Sequence, residues 1–189
     1  AIRYNMNMTV LLHDNHIYGL TKKQASPTSP IGTKSNTTPR GSYLDALSPL
    51  TVTLGVQNVS FVAQAVDWIP ESLFQILTAA YRHRGFSFVR ILQRCPEFVG
   101  NMFEPWVHDP QRMLMLTHEN GIKVSPALQK IYRNQVEHDP SNIDRAREIA
   151  SSEDPIPVGI LYHNPEVPCY DDLHGVGPLR TAEQIRAGL

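Results

Sequence analysis

Two apolar segments on either side of an amphipathic helix constrain the fold of this chain more than any other feature. Residues 59–65 (VSFVAQA) and 86–92 (FSFVRIL) have the continuous apolar character of buried strands. Between them, Pro70 stands where a helix can begin, and apolar residues recur at helical spacing from Leu73 to Ala80. This order predicts parallel strands joined by a right-handed crossover. The expected fold class is therefore α/β, a mostly parallel sheet with flanking helices.

Other patterns add elements on both sides of this unit. Met8–Leu12 is a short continuous apolar run, typical of a parallel strand that is fully buried. Gly85 follows the basic end of the central helix, and we expect it to cap that helix in the left-handed conformation. Ser141 with Asp144 three residues later predicts a capped helix. Further short elements are expected at residues 49–56 (helix), 125–132 (helix) and 156–162 (strand).

Composition and charge exclude several classes of protein. The 17 Lys and Arg against 18 Asp and Glu leave a formal net charge of −1, without the basic surplus of a nucleic-acid-binding protein. No apolar run reaches the roughly 18 to 20 residues that cross a bilayer, and the first nine residues lack a secretory signal. Cys95 and Cys169 form neither a disulfide framework nor a zinc-ligand spacing. We therefore expect a cytoplasmic protein with no nucleic-acid or membrane partner.

The loop after the first strand, His13 to Ser48, is the region where chemistry is expected. Loops of that length in compact domains are usually functional or disordered, and the composition of this one favours a function. Ligands of open α/β sheets bind at the carboxyl ends of strands. Magnesium prefers oxygen ligands in an octahedron, and the Asn15 side chain with the carbonyl of Ile17 could occupy neighbouring corners. The same residues also fit a plain turn without a metal.

Residues 14–41 (DNHIYGLTKKQASPTSPIGTKSNTTPRG) resemble the thiamin-diphosphate-binding beta subunit of 2-oxoacid:ferredoxin oxidoreductases. The resemblance begins at Arg3-Tyr4-Asn5, includes Ile91–Cys95, and family-like spacing continues to residue 164. The family's Gly-Asp-Gly-Asp motif and N-terminal cysteines are not in this sequence, so we expect the C-terminal part of such a subunit. Residues 1–105 would be the C-terminal part of the thiamin-diphosphate-binding domain. Residues 106–189 would be a C-terminal extension with a partner-contacting arm, closed by a short helix that Thr181 caps with Gln184.

The resemblance implies coenzyme A-dependent oxidative decarboxylation of a 2-oxoacid, of the 2-oxoglutarate type, with electron transfer to ferredoxin. The implied cofactors are thiamin diphosphate, Mg²⁺ and a 4Fe-4S cluster. The implied partners are an alpha-type subunit, in a hetero-oligomer, and ferredoxin. Two alternatives stay open: a cluster-free thiamin-dependent 2-oxoacid decarboxylase, and a non-catalytic assembly module of the same fold.

The resemblance also implies binding residues, with no catalytic side chain among them. Asn15 and the carbonyl of Ile17 would hold the Mg²⁺ that bridges the cofactor diphosphate to the protein. Thr21 would lie near the reactive ring of the cofactor, and Leu20 and Lys22 would line the substrate pocket. The Lys22 ammonium would neutralise the distal carboxylate of 2-oxoglutarate. A solvated loop lysine is the alternative.

Cys95 follows the strand at residues 86–92. The resemblance makes it the fourth ligand of the 4Fe-4S cluster, whose iron atoms need thiolate ligands that one cysteine cannot supply. The alternative is a buried, inert thiol, as most lone cysteines are.

Overall fold

A central sheet with helices on both faces organises the computed structural model, which describes residues 1–175. Within these residues the strands are β1 (Met8–Asp14), β2 (Ile17–Tyr18), β3 (Gln24–Ala25), β4 (Phe61–Val66), β5 (Phe86–Leu92), β6 (Met113–Thr117), β7 (Gln135–Glu137) and β8 (Ile156–His163). The helices are α1 (Pro49–Leu54), α2 (Pro70–Arg82), α3 (Glu104–His108), α4 (Pro126–Ile131), α5 (Ile143–Ala150) and α6 (Tyr170–Leu173). The predicted strands at residues 59–65, 86–92 and 156–162 and the three predicted helices at residues 49–56, 70 onward and 125–132 are confirmed.

The sheet consists of two parallel halves that meet in an antiparallel pair. Its strand order is β1-β5-β4-β8-β6-β7, and among the described residues the β4–β8 pair is the only antiparallel pair of this sheet. Strands β2 and β3 form a separate antiparallel pair. The mostly parallel α/β class is therefore confirmed. Because β8 runs opposite to β4, its amino end lies beside the carboxyl ends of β1, β5 and β4. The loops that follow those three strands gather at this edge of the sheet.

The core lies on both faces of the sheet. On one face α2 covers Ala63, Val89 and Ile91. On the other, α1 and α5 cover Val62 and Phe88. This division follows from the pleat of a strand, which turns successive side chains to opposite faces. Strands β6 and β8 belong to the same sheet, so the segment after residue 105 completes the core that the first segment begins.

The first strand lies at an edge of the sheet and pairs with β5. Met8 and Leu11 are each 43% exposed, while Val10 and Leu12 pack against the α1–α5 side of the core. The prediction of a fully buried strand is therefore wrong. A short apolar run looks the same in a central strand and an edge strand, because the number of neighbouring strands is decided by the whole sheet.

The end of α2 also differs from the prediction. The residue after it, His83, has extended backbone angles (φ −66°, ψ 131°), so Gly85 does not cap the helix. Gly85 instead has φ +135° at the entrance to β5, where a Cβ would collide with the side chain of Asn5. Only glycine combines this backbone angle with this close approach.

The amino end of α5 is displaced by one residue from the prediction. Asn142, rather than Ser141, is the N-cap, and its side chain accepts a hydrogen bond from the backbone N–H of Arg145. Both residue types cap helices well, so the local pattern did not distinguish between them.

A buried Asn5 side chain connects the beginning of the chain to the segment after β8. Its Oδ1 accepts hydrogen bonds from Ser60 Oγ (2.6 Å) and the backbone N–H of Phe86 (2.8 Å). Its Nδ2 donates to the carbonyl of Val167 (2.9 Å). The described part of the predicted arm, up to residue 175, therefore packs against this chain itself. The predicted helix capped by Thr181 lies outside the described residues.

His83 beside this cluster makes the stability of the fold depend on pH. Burial, together with neighbouring His163, lowers the pKa of His83 from 6.5 to about 4. Between these values the unfolded chain binds a proton that the folded chain does not bind. We therefore expect stability to fall as the pH drops from about 6.5 to about 4, by up to about 3 kcal/mol from His83.

Urea unfolding at about pH 7 and about pH 4.5 measures this effect. His83→Gln should remove a large part of the difference in unfolding free energy between the two pH values, whereas His108→Gln, at an exposed position on α3, should not. The same pH dependence in the His83→Gln variant and in the unaltered protein would contradict the expectation.

No helix within residues 1–175 is both long enough and apolar enough to cross a membrane.

Candidate functional site

The candidate site lies where β1 ends, beside the carboxyl-terminal half of β5. Leu12 of β1 is in register with Arg90 of β5, and Arg90 is in register with Gln64 of β4. Two residues beyond Leu12, Asp14 ends β1 and the long loop begins. This register brings the Asp14 carboxylate, the Arg90 guanidinium and the Gln64 amide together at the edge of the sheet where ligands of open α/β sheets bind.

Asp14 and Arg90 form a buried ion pair. Oδ2 of Asp14 lies 2.6 Å from Nη2 and 2.8 Å from Nε of Arg90, and its Oδ1 accepts a hydrogen bond from Thr28 Oγ1 (2.6 Å). Burial raises the pKa of Asp14, but the Arg90 charge, the Thr28 hydroxyl and His16 outweigh burial and hold that pKa below its usual value. Asp14 is therefore a charged carboxylate whose two oxygens are both engaged by the protein.

Two overlapping turns shape the start of the loop. The backbone N–H of His16 donates to Asp14 Oδ1, and that of Ile17 donates to Asn15 Oδ1, both at 3.1 Å. Residues 26–29 hold this backbone from the side, because Ser29 Oγ donates to the carbonyl of His16 (2.6 Å). The plain turn that the sequence allowed at Asn15 is thus present. The loop thus folds back so that residues 26–29 form direct hydrogen bonds with the segment that begins at Asp14.

The turn is compatible with a bound Mg²⁺ but incomplete as a metal site. The Asn15 side-chain oxygen uses one of its two acceptor positions for the turn and keeps the other. Asn15 and the carbonyl of Ile17 could supply two of about six oxygen ligands. Asp14 is not available, and residues 1–175 hold no group of three or more His, Cys, Asp or Glu residues that could bind a metal. Phosphate oxygens of a bound cofactor would suit the remaining positions.

Two cavities adjoin the Asp14–Arg90 pair. One, of about 350 Å³, is lined by Asp14 and Asn15 together with residues of the loop and of α1. The other, of about 240 Å³, is lined by His16, Gln64 and Arg90 and by apolar residues, including Phe103. Asn15 therefore faces one cavity and Arg90 the other.

The predicted substrate residues Leu20 and Lys22 and the predicted cofactor residue Thr21 lie together on one exposed turn. Leu20 is fully exposed, Thr21 and Lys22 are exposed, and the backbone N–H of Lys22 donates to the carbonyl of Gly19 (3.0 Å). Lys22 has a positive φ of 62°, which the turn requires. None of the three lines either of these cavities. A substrate pocket at this turn needs a second wall, and the roles of these residues stay predictions.

Cys95 lies beside the same turn. Its Sγ is 3.6 Å from the position that a Cβ on Gly19 would occupy, and the residue is only partly buried. It is therefore not the fully buried thiol that the simpler interpretation expected. The loop after β5 thus brings the predicted cluster ligand next to the predicted substrate residues. Ligation of a cluster by Cys95 stays a prediction, because one thiolate is far from a complete ligand set.

Sequence reasoning missed Arg90 and Gln64 as members of the site, and it gave no role to Asp14 and Thr28 within the loop where chemistry is expected. The available signal was the single charged residue within the apolar strand FSFVRIL. A buried arginine requires a nearby anion, and the end of a parallel neighbouring strand is a natural place to find one.

Comparisons with known proteins identify the class of this chain. Residues 1–91 match the family model described as thiamine pyrophosphate enzyme, C-terminal TPP binding domain. Residues 128–177 match the model described as the C-terminal region of the pyruvate ferredoxin oxidoreductase beta subunit. The fold and the loop after β1 therefore belong to the thiamine pyrophosphate enzymes.

Individual relatives narrow this class. The chain is 32% identical over 172 residues to a 2-oxoacid:ferredoxin oxidoreductase subunit beta of a Sulfolobus species, covering 91% of this chain and 53% of that protein. It is 44% identical over 104 residues to the 2-oxoglutarate oxidoreductase subunit KorB of Mycobacterium tuberculosis, covering 55% of this chain and 28% of that protein. The chain belongs to the family of 2-oxoacid:ferredoxin oxidoreductase beta subunits.

A solved structure agrees with this assignment. The 2-oxoglutarate:ferredoxin oxidoreductase from Magnetococcus marinus, with 2-oxoglutarate, coenzyme A and succinyl-CoA bound, superposes with a TM-score of 0.72 at 29% identity. The match covers 98% of this chain and 59% of that one. The chain spans about half the length, or less, of the curated relatives it matches.

Proposed function

We propose that this chain acts as part of the beta subunit of a 2-oxoglutarate:ferredoxin oxidoreductase. The reaction is coenzyme A-dependent oxidative decarboxylation of the 2-oxoacid, with ferredoxin as electron acceptor. The observation that carries the proposal is the Asp14–Ile17 loop at the end of β1, in a chain of this family. There the two overlapping turns hold the backbone that carries the Asn15 amide oxygen and the Ile17 carbonyl, which are two residues apart.

The residues of this chain would bind and orient rather than transfer protons. Asn15 and the carbonyl of Ile17 would hold Mg²⁺ against the cofactor diphosphate, and Thr21 would lie near the reactive ring. Leu20 and Lys22 would contact the substrate. When bound, thiamin diphosphate supplies the carbon nucleophile for decarboxylation. Cys95 would give one thiolate to a 4Fe-4S cluster that carries electrons onward.

An alpha-type subunit is the proposed partner. The exposure of Leu20, Thr21 and Lys22 supports it, because a pocket that discriminates between substrates must exclude water from the contacts that discriminate. The proposed assembly is a hetero-oligomer, and we propose a cytoplasmic location for it.

The test is an assay of the assembled enzyme that contains this subunit. We expect 2-oxoglutarate to reduce ferredoxin only when coenzyme A is present. Metal analysis and low-temperature electron paramagnetic resonance report whether the enzyme contains an iron-sulfur cluster. An enzyme that releases carbon dioxide but contains no iron would favour the cluster-free decarboxylase instead. Absence of thiamin diphosphate binding would favour the non-catalytic assembly module.

Asn15→Leu should lower the affinity of the assembled enzyme for thiamin diphosphate by at least about tenfold, because it removes one oxygen ligand of the bridging Mg²⁺. Isothermal titration calorimetry at a constant Mg²⁺ concentration measures this affinity. Asn15→Asp keeps an oxygen at the same place and should lose less. Asn101→Leu, at an exposed position after β5, should leave the affinity unchanged. Unaltered affinity in Asn15→Leu would remove Asn15 from the metal site.

A further inference from the structure

We infer that Arg90 is a positioning residue for the magnesium site, acting on Asn15 and Ile17 through Asp14. The inference rests on the proposed function, which assigns Asn15 and Ile17 to the metal. It adds a residue on a different strand, 75 positions further along the chain from Asn15, that the sequence motif does not contain.

Arg90 holds Asp14 in one orientation. The Arg90 and Asp14 side chains are only 13% and 3% exposed, so water cannot replace either partner. Both guanidinium contacts reach the same oxygen, Oδ2, at 2.6 and 2.8 Å. This leaves Oδ1 free of Arg90 and directed to other donors. A buried carboxylate without its cation would turn away toward other hydrogen-bond donors.

Asp14 transmits this orientation to the metal-binding residues. Its Oδ1 accepts the backbone N–H of His16 at 3.1 Å and the hydroxyl of Thr28 at 2.6 Å. The bond to His16 fixes the backbone immediately after Asn15. The turn between the Asn15 side chain and the backbone N–H of Ile17 contains His16, so it depends on the same piece of backbone. A change in the orientation of Asp14 therefore alters the path of the chain between the two proposed ligands.

Arg90 is itself fixed by the neighbouring strands. Its Nη1 donates to Gln64 Oε1 (3.3 Å), and Gln64 Nε2 donates to the carbonyl of Pro157 at the start of β8 (2.8 Å). The planar guanidinium contacts Asp14 and Gln64 at the same time, and a lysine ammonium lacks the fork geometry to do so. Arg90→Lys is therefore expected to preserve the charge but not the full geometry.

The cavities indicate that Arg90 acts indirectly. Asn15 lines one of the two cavities beside the ion pair, and Arg90 lines the other. Arg90 also faces Asp14, whose negative charge already compensates its own. Direct binding of the cofactor diphosphate by Arg90 would require breaking that buried pair.

The experiment measures the Mg²⁺ concentration that half-saturates thiamin diphosphate binding to the assembled enzyme, without reference to turnover. In Arg90→Met we expect this concentration to rise by about tenfold or more, and in Arg90→Lys by an intermediate factor. With Mn²⁺ as the metal, the electron paramagnetic resonance spectrum of the bound ion should change in both variants. A purely structural role would lower thermal stability without altering that spectrum.

Arg94→Met is the matched control. Arg94 follows the same strand and pairs with Asp67 (3.0 Å), but this pair does not contact the loop from Asp14 to Ile17. We expect its Mg²⁺ dependence to match that of the unaltered enzyme. If Arg90→Met does not fold, the same Mg²⁺ concentration is measured in Thr28→Val. This variant removes one hydrogen bond to Asp14 without leaving a buried charge. A rise of about threefold or more supports the inference, and no rise overturns it.

The outcomes separate this inference from the proposed function. If the unaltered enzyme binds thiamin diphosphate without any dependence on Mg²⁺, the proposed function of Asn15 and Ile17 fails. If the unaltered enzyme depends on Mg²⁺ and Asn15→Leu weakens binding, but a folded Arg90→Met behaves like the unaltered enzyme, only the role of Arg90 is overturned.

Discussion

Cys95→Ser is expected to lower ferredoxin reduction by the assembled enzyme by roughly two orders of magnitude. A serine hydroxyl remains protonated where a cysteine can bind iron as a thiolate, so the cluster should lose one of its ligands. Cys95 lies against Gly19, next to the turn that carries Lys22, so the affected cluster would be close to the substrate. The iron content and the intensity of the cluster signal in the low-temperature electron paramagnetic resonance spectrum should decrease in parallel with ferredoxin reduction.

Two further measurements distinguish loss of the cluster from general damage. Release of carbon dioxide from 2-oxoglutarate in a single turnover should persist, because in the proposed reaction the cluster would be needed only after carbon dioxide has departed. Cys169→Ser, at a buried position in the segment after β8, should keep the full iron content of the folded subunit. Full iron content and normal ferredoxin reduction in Cys95→Ser would make Cys95 a structural thiol.

Lys22→Ala should reduce kcat/KM for 2-oxoglutarate by roughly 30- to 150-fold, which corresponds to about 2 to 3 kcal/mol. If Lys22 has its proposed role, the variant would leave the distal carboxylate of the substrate without its cation in a partly desolvated pocket. Pyruvate has no such carboxylate, so its kcat/KM should change little. The comparison of the two substrates, measured by ferredoxin reduction, isolates this contact from any effect on cofactor binding.

Lys23→Ala provides the control within the same turn. Lys23 is the next residue, is also exposed and also has a positive φ, of 64°. We expect its kcat/KM values for both substrates to stay near those of the unaltered enzyme. Equal losses for 2-oxoglutarate and pyruvate in Lys22→Ala, or no loss for either, would make Lys22 a solvated loop residue. The preference for 2-oxoglutarate would then be withdrawn in favour of an unspecified 2-oxoacid.

Local patterns predicted most of the secondary structure and part of the site. Strands β4 and β5 and helix α2 were predictable because their hydrophobic periodicity is set by residues close in sequence. The cap of α5 was displaced by one residue because neighbouring Ser and Asn have similar capping ability. Within the site, the motif around Asn15 identified the loop, since the turn depends on residues two positions apart.

Interactions between distant residues were not predictable in this way. Arg90 and Asp14 are 76 positions apart and meet only because β1 and β5 pair in parallel in one particular register. The contact between Cys95 and Gly19 likewise depends on where the loop after β5 lies relative to the long loop. Nothing in the spacing of these residues along the chain indicates their proximity.

The α/β class, the family and the loop that carries Asn15 and Ile17 could be predicted from the sequence, because they depend on local periodicity and on a contiguous motif. The position of β1 at an edge, the antiparallel direction of β8 beside β4 and the buried ion pair of Arg90 that supports the loop became apparent only in three dimensions. They could not be predicted because strand order and register are selected by burial over the whole sheet. A buried charge is stable only where that selection brings its partner within hydrogen-bond distance.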